Sequence, residues 1–244
     1  GQSSRWTADM LRPSGARVTE QAEVLTDRYK EALRFAADLH HGQLRKSTRV
    51  AYLSHLLSVS ALVIEQEGSE TEAIAGLLHD AIEDRGANFQ SEVPGGRSGR
   101  EALKAAIKER FGQEVLDIVE RCTDDEYLPP GLIAEKGSPE EWRTRKSAYL
   151  QRLRESEHGG ALLVSCADKL HNARAILTDY EVHGEDLWRR FTAGSRDQQL
   201  WYYRQLAEIF AERADSLDNP GIARLAKELN LVVSRIAERG ASSV

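Results

Sequence analysis

Residues 161–177, ALLVSCADKLHNARAIL, constrain the fold more than any other part of this chain. Its first seven positions are apolar but for Ser165, so at least the first turns of this segment are buried on most sides by other elements. The rest of the chain supplies helices for that purpose. Leu25, Tyr29, Leu33, Ala36, Ala37 and His40 follow the 3.6-residue period up to a stop at His41-Gly42. Leu53, Leu56, Leu57, Ser60 and Ile64 mark one side of a second helix, which ends at Gly68. Ile74, Leu77, Leu78 and Ala81 form a stripe on a third, which follows Thr71 and runs unbroken to Arg85.

Further on, Leu103, Ile107 and Phe111 keep the period up to Gly112, and Val115, Ile118 and Val119 continue it in a short helix. Ser138-Pro139-Glu140-Glu141 is a strong helix start: a capping serine, proline in the first turn, then acids at the positive end of the dipole. That helix ends near His158-Gly159-Gly160, and two more are expected at about 198–213 and 221–239. Residues 86–100 read as a surface loop with room to move, and Pro129-Pro130-Gly131 excludes regular structure around it. No alternating segments bounded by hairpin turns, and no repeats, are present. The expected fold class is all-α: a single compact helical domain over residues 21–244, preceded by a flexible polar leader over residues 1–20.

Charge and cysteine content narrow the functions open to such a domain. A net charge of -6 and a pI near 5.7 argue against a broad nucleic-acid-binding surface but leave room for a small anionic substrate met by local positive charge. No apolar run approaches the roughly 18 residues of a membrane span, and the first residues lack a signal-peptide core. A cytoplasmic location with no membrane or nucleic-acid partner is therefore expected, while the oligomeric state is not legible. Cys122 and Cys166 lack CxxC spacing and read as small buried side chains, with neither disulfide nor thiolate-metal use.

Asp168 is the most informative single residue. A carboxylate within the most apolar helix is costly unless something compensates it. Ser165, Asp168 and Asn172 form a narrow polar line at i, i+3 and i+7. Asp168 is either half of a buried ion pair or a metal-binding or catalytic group; Lys169 is expected to point elsewhere, because adjacent helical residues diverge. His79, Asp80, Glu83 and Asp84 fall on the polar side of their helix, with His79 and Glu83, and Asp80 and Asp84, each four apart. By itself this is either a solvated acidic face or a reactive one. Together with His55, however, His79, Asp80 and Asp168 make a set of two imidazoles and two carboxylates from separate helices, suited to one divalent first-row metal.

The order His55, His79-Asp80, Asp168 resembles the HD-domain metal-dependent phosphohydrolases. RYKEALRFAADLHHGQLRK, YLSHLLSVSALV, IAGLLHDAIED, FGQEVLDIVERCTDDE and ADKLHNARAIL, in that order, look like the hydrolase domain of the RelA/SpoT family, over roughly residues 25 to 215. With no synthetase or regulatory region following, the chain is most similar to the single-domain small alarmone hydrolases of the Mesh type. The resemblance implies an HD fold and a 3′-pyrophosphohydrolase of guanosine tetra- and pentaphosphate, with His55, His79, Asp80 and Asp168 binding catalytic Mn²⁺. Glu83 and Asp84 match the Glu-Asp pair that handles the attacking water, Glu83 as the base and Asp84 orienting. Arg45 and Lys46 match residues beside the nucleotide, Asn172 matches one that contacts the nucleoside, and Tyr202 or Tyr203 is expected to line the same pocket.

Four positions depart from the family pattern: Leu56 where proline is usual, Arg85 for threonine, Glu126 for lysine, and Ala175 for a hydroxyl residue. The last two bear on which nucleotide is accepted. The alternatives are the same site acting on another phosphorylated nucleotide, such as an adenosine alarmone or the 2′-phosphate of NADPH, and a nucleotide-binding module without turnover.

Overall fold

Short polar side chains set where the helices of this protein begin. In the computed structural model, residues 25–90, 98–123, 138–191 and 195–241 are described. The expected leader, Glu126 and Pro129-Pro130-Gly131 lie outside them. Thr26 caps α1 (Asp27–Leu39), its hydroxyl accepting from Arg28 N–H. After α2 (Leu53–Glu65), Ser69 opens α3 (Glu70–Leu78) with a reciprocal capping box to Glu72. That start lies one turn's edge before Thr71. Ser138 caps α7 (Pro139–Glu155) as its sequence predicts, and Ser195 caps α9 (Arg196–Ser216) with a second capping box, to Gln198. Between these run α4 (Ala81–Arg85), α5 (Arg100–Phe111), α6 (Gln113–Cys122) and α8 (Gly159–His183); α10 (Pro220–Ala241) closes the chain.

The described residues contain no strand, only isolated bridges at Leu44–Ala51 and Gln90–Ser98. None of the described helices is long and apolar enough to cross a membrane. The all-α expectation holds. The apolar segment is the first two thirds of α8, which packs against α2, α3, α6 and α10, with α9 paired along α10. Ala161 to Ala167 are all buried, as expected of a helix enclosed by others. Cys166 is buried and Cys122 half-buried, and neither is in a disulfide.

Three local expectations are corrected. On α2 the buried side is His55, Leu56, Val59, Ser60, Leu62 and Val63, while Leu57 and Ile64 are exposed at 41% and 37%. The helix is rotated so that Ser60, the smallest of these, meets α3 and donates its hydroxyl hydrogen bond to Ala73 O at 2.8 Å. The helix expected to run unbroken to Arg85 is two: α3 stops at Leu78 and α4 starts at Ala81, with Asp80 between them at φ -98, ψ 0. That is the sparsely populated bridge region. Finally, α8 runs on past Leu177 to His183 and continues as a 3-10 turn over Gly184–Arg190, where no element was expected.

Candidate metal centre

Three elements converge at the N-terminal part of α2, the α3–α4 junction and the middle of α8. The crossing of α2 over α3 is close because Gly76 has no side chain: a Cβ there would lie 3.1 Å from the Ser60 Cα. The contact sets His55 and His79 edge to face, with ring centroids 5.1 Å apart. His55 Nε2 lies 3.1 Å from Asp168 Oδ1 and 3.6 Å from Asp80 Oδ2. His79 Nε2 lies 3.0 Å from Asp80 Oδ2 and 3.5 Å from Asp168 Oδ1. The structure thus brings together all four side chains predicted as ligands.

These spacings test whether a cation fits. Nitrogen and oxygen ligands about 2.1 Å from one ion, in tetrahedral or octahedral array, lie about 3.0–3.4 Å from their nearest neighbours in the shell. The observed edges are close to that range. His79 Nδ1–H donates to Gly76 O at 2.8 Å, which leaves Nε2 as the lone-pair nitrogen facing the carboxylates. That Nε2 is buried and has no hydrogen bond in line with it. His55, His79 and Asp80 form a group able to hold a metal, and Asp168 Oδ1 lies beside that group, against both histidines.

Electrostatics favours charged carboxylates here. Burial pushes Asp168 up, yet the Lys169 ammonium and both histidines outweigh it and hold the carboxyl well below its usual range. Asp80 is likewise depressed: burial opposes, but His79 and then His55 prevail. Lys169 Nζ stands 2.7 Å from Asp168 Oδ2, contrary to the expectation that an adjacent helical residue points away. The Cβ vectors do diverge, but the long lysine stem curls back over the Tyr149 ring, 5.1 Å from its centroid. Asp80 also accepts a hydrogen bond from the Tyr52 hydroxyl, at the N-terminal end of α2.

The predicted water-handling pair sits on α4. Asp84 Oδ2 accepts from Gln43 Nε2 at 2.7 Å, and Gln43 in turn takes His40 Nδ1–H on its carbonyl oxygen at 2.8 Å. Burial first, then the charge of Asp80, raises the Asp84 carboxyl above its usual range, against the Gln43 hydrogen bond. Glu83 is half-buried beside it.

A pocket of about 230 Å³, partly open to solvent, is lined by Arg45, Lys46, Asn172, Ala175, Tyr203 and Phe191 among others, and by none of the four side chains above. Asn172 joins the two regions, since its Nδ2 donates to Asp168 Oδ1 at 2.7 Å. Of the two tyrosines, Tyr203 lines this pocket and Tyr202 does not. Tyr202 turns about 100° away on α9 and packs in the core on Trp142 of α7, with centroids 5.9 Å apart.

Sequence reasoning passed over His171, Tyr52 and Gln43, and set Lys169 aside as a partner of Asp168. His171 Nδ1 lies 2.7 Å from His55 Nδ1 and 3.2 Å from Arg45 Nη1, and Arg45 Nη2 donates to Asn172 Oδ1 at 3.2 Å. One signal for His171 was present, because it is one turn from Asp168 and shares its face. Tyr52 similarly precedes His55 by one turn. Nothing local ties Gln43 to Asp84, which is 41 residues away.

Comparison with known proteins gives the family. The profile of the HD domain matches residues 32–198. The frog Xenopus tropicalis guanosine-3′,5′-bis(diphosphate) 3′-pyrophosphohydrolase MESH1 is 31% identical over 180 residues, 72% of this chain and 79% of the frog protein. The Drosophila melanogaster MESH1 is 27% identical over 74% of this chain and 83% of its own. A GTP pyrophosphokinase of Myxococcus xanthus is 32% identical over 62% of this chain but only 17% of its own length. A solved structure described as a metazoan ortholog of SpoT that hydrolyzes ppGpp shares the fold, with TM-score 0.57 and 22% identity over 84% of this chain and 94% of that one. Since the HD profile covers more than half of the sequence and the relatives of similar length align along most of it, this chain belongs to the HD-domain family.

Proposed function

We propose that this protein is a metal-dependent 3′-pyrophosphohydrolase of guanosine tetra- and pentaphosphate, releasing pyrophosphate and returning GDP or GTP. The observation that carries the reading is that His55 Nε2 and His79 Nε2 each lie 3.0–3.6 Å from both Asp80 Oδ2 and Asp168 Oδ1. The names of relatives that align along most of their length support the same substrate. The four side chains would hold Mn²⁺. Such an ion supplies Lewis acidity toward a phosphoryl oxygen and makes water acidic enough to attack at neutral pH.

The remaining work falls to the chain's own residues. Glu83 is the proposed proton acceptor, and Asp84, held by Gln43, orients the water. Arg45 and Lys46 offset phosphate charge and flank the base at the pocket rim, where guanidinium can grip oxygens or stack. Asn172 meets the nucleoside, and Tyr203 rather than Tyr202 is the aromatic of the pocket.

Purified protein supplied with Mn²⁺ and guanosine tetraphosphate is expected to release pyrophosphate, and Asp80→Ala to abolish the release. A wild type that binds Mn²⁺ but releases nothing refutes the substrate assignment. Because Ala175, one of the departures from the family pattern, lines the pocket, a panel of adenosine and guanosine polyphosphates ranked by kcat/KM reads the base preference directly.

A further inference from the structure

His171 has no part in the proposed chemistry, yet it is half-buried against the metal set and makes two polar contacts through one atom. Its Nδ1 lies 2.7 Å from His55 Nδ1 and 3.2 Å from Arg45 Nη1. Arginine can only donate. If His171 carried its proton on Nδ1, that N–H would face the guanidinium N–H; with a lone pair there instead, it accepts from both neighbours. His55 then keeps its proton on Nδ1 and turns Nε2, free of hydrogen, toward Asp80 and Asp168. That is the tautomer a metal ligand needs.

The same fork of Arg45 reaches Asn172 Oδ1, and Asn172 Nδ2 reaches Asp168 Oδ1. The guanidinium at the rim of the pocket is thus tied to two of the four ligand side chains, each through one intermediary on α8. We propose that His171 is a positioning residue: its Nδ1 fixes the tautomer and ring orientation of His55 and seats Arg45 in the nucleotide pocket, so that one imidazole serves metal binding and substrate placement together. The inference rests on the proposed metal set, and its second half rests on the proposed substrate.

The test uses Mn²⁺ alone, titrated into the 244-residue chain, with His171→Phe, which keeps a flat ring but no acceptor, and His171→Asn, which returns a carbonyl oxygen near the place of Nδ1. His171→Phe is expected to weaken Mn²⁺ binding about 10–100-fold, and His171→Asn to restore it to within about threefold of wild type. At saturating Mn²⁺, His171→Phe should also raise KM for guanosine tetraphosphate several-fold with a smaller change in kcat, as Arg45 loses its seat. Wild-type Mn²⁺ affinity in His171→Phe overturns the proposal, and so does an Asn variant that melts like wild type but binds no better than Phe. The metal titration needs no substrate. A protein that loses Mn²⁺ on His171→Phe but never hydrolyses guanosine tetraphosphate keeps this inference and rejects the proposed function.

Discussion

Asp84 and Glu83 are neighbours on a single short turn, and the proposed function gives them different work. Asp84 is held by Gln43 and feels the negative charge of Asp80, which suits a group that fixes a water in place. Glu83, one position earlier, points about 100° away on α4. Glu83→Gln is expected to lower kcat about 10²–10⁴-fold while Mn²⁺ affinity is kept, with Asp84→Asn costing less. Steady-state kinetics at saturating metal decides it, and the reverse ranking makes Asp84 the proton acceptor. At this scale the sequence was readable for residue types at helical spacing. It was misleading for side chains whose reach exceeds their Cβ direction, as Lys169 demonstrates by bending back onto Asp168. The Tyr202–Tyr203 pair was undecided for a related reason: both are aromatic and buried, and only the rotation of α9 determines which one meets the pocket.

Elements carry the ligands, and α3 is the element that permits their approach. It is buried from Ala73 to Leu78, and at Gly76 its backbone comes against α2. A methyl group at that position would stand 3.1 Å from Ser60 Cα and 3.3 Å from Ser60 N, both backbone atoms that cannot swing aside. Overpacking of this kind costs about 1–3 kcal/mol, against a helix-propensity gain of about 1 kcal/mol for replacing glycine. Gly76→Ala is therefore expected to be less stable in a denaturant titration and, by separating His55 from His79, to bind Mn²⁺ more weakly. A variant as stable and as tightly binding as wild type would show that the crossing has slack. The break after Leu78 belongs to the same scale. The apolar stripe continues through Ala81 and Ile82, both fully buried, so periodicity alone reads one helix. The turn at Asp80 aims that carboxylate at Tyr52 and the two histidines, and no local pattern encodes it.

For the whole molecule, the metal set is a clasp between α2, the α3–α4 junction and α8, so an ion bound there stabilises the native state alone. Mn²⁺ at a hundred times its Kd is expected to add about 2.7 kcal/mol, which in a chain of this size is about 5–10 °C in Tm; chelation should reverse it. Burial pulls the His79 imidazole down, but the adjacent Asp80 outweighs it and holds the group well above its ordinary value. A proton therefore competes with the ion for Nε2, and the competition eases as pH rises. The Mn²⁺-induced gain in Tm should shrink on acidification, and a gain independent of pH would mean that His79 is not a ligand. The sequence by itself determined the helical class, the order of most of the helices, the Ser138 cap of α7, and a reactive set recognisable by type, because capping and the 3.6-residue period are local and survive in one dimension. Only the tertiary structure decided that His55, His79, Asp80 and Asp168 meet, that His171 and Gln43 stand behind them, and that Tyr203 rather than Tyr202 faces the pocket. Those outcomes depend on how far each helix is rotated and how closely it crosses its neighbour, and both are set by packing among residues far apart in the chain.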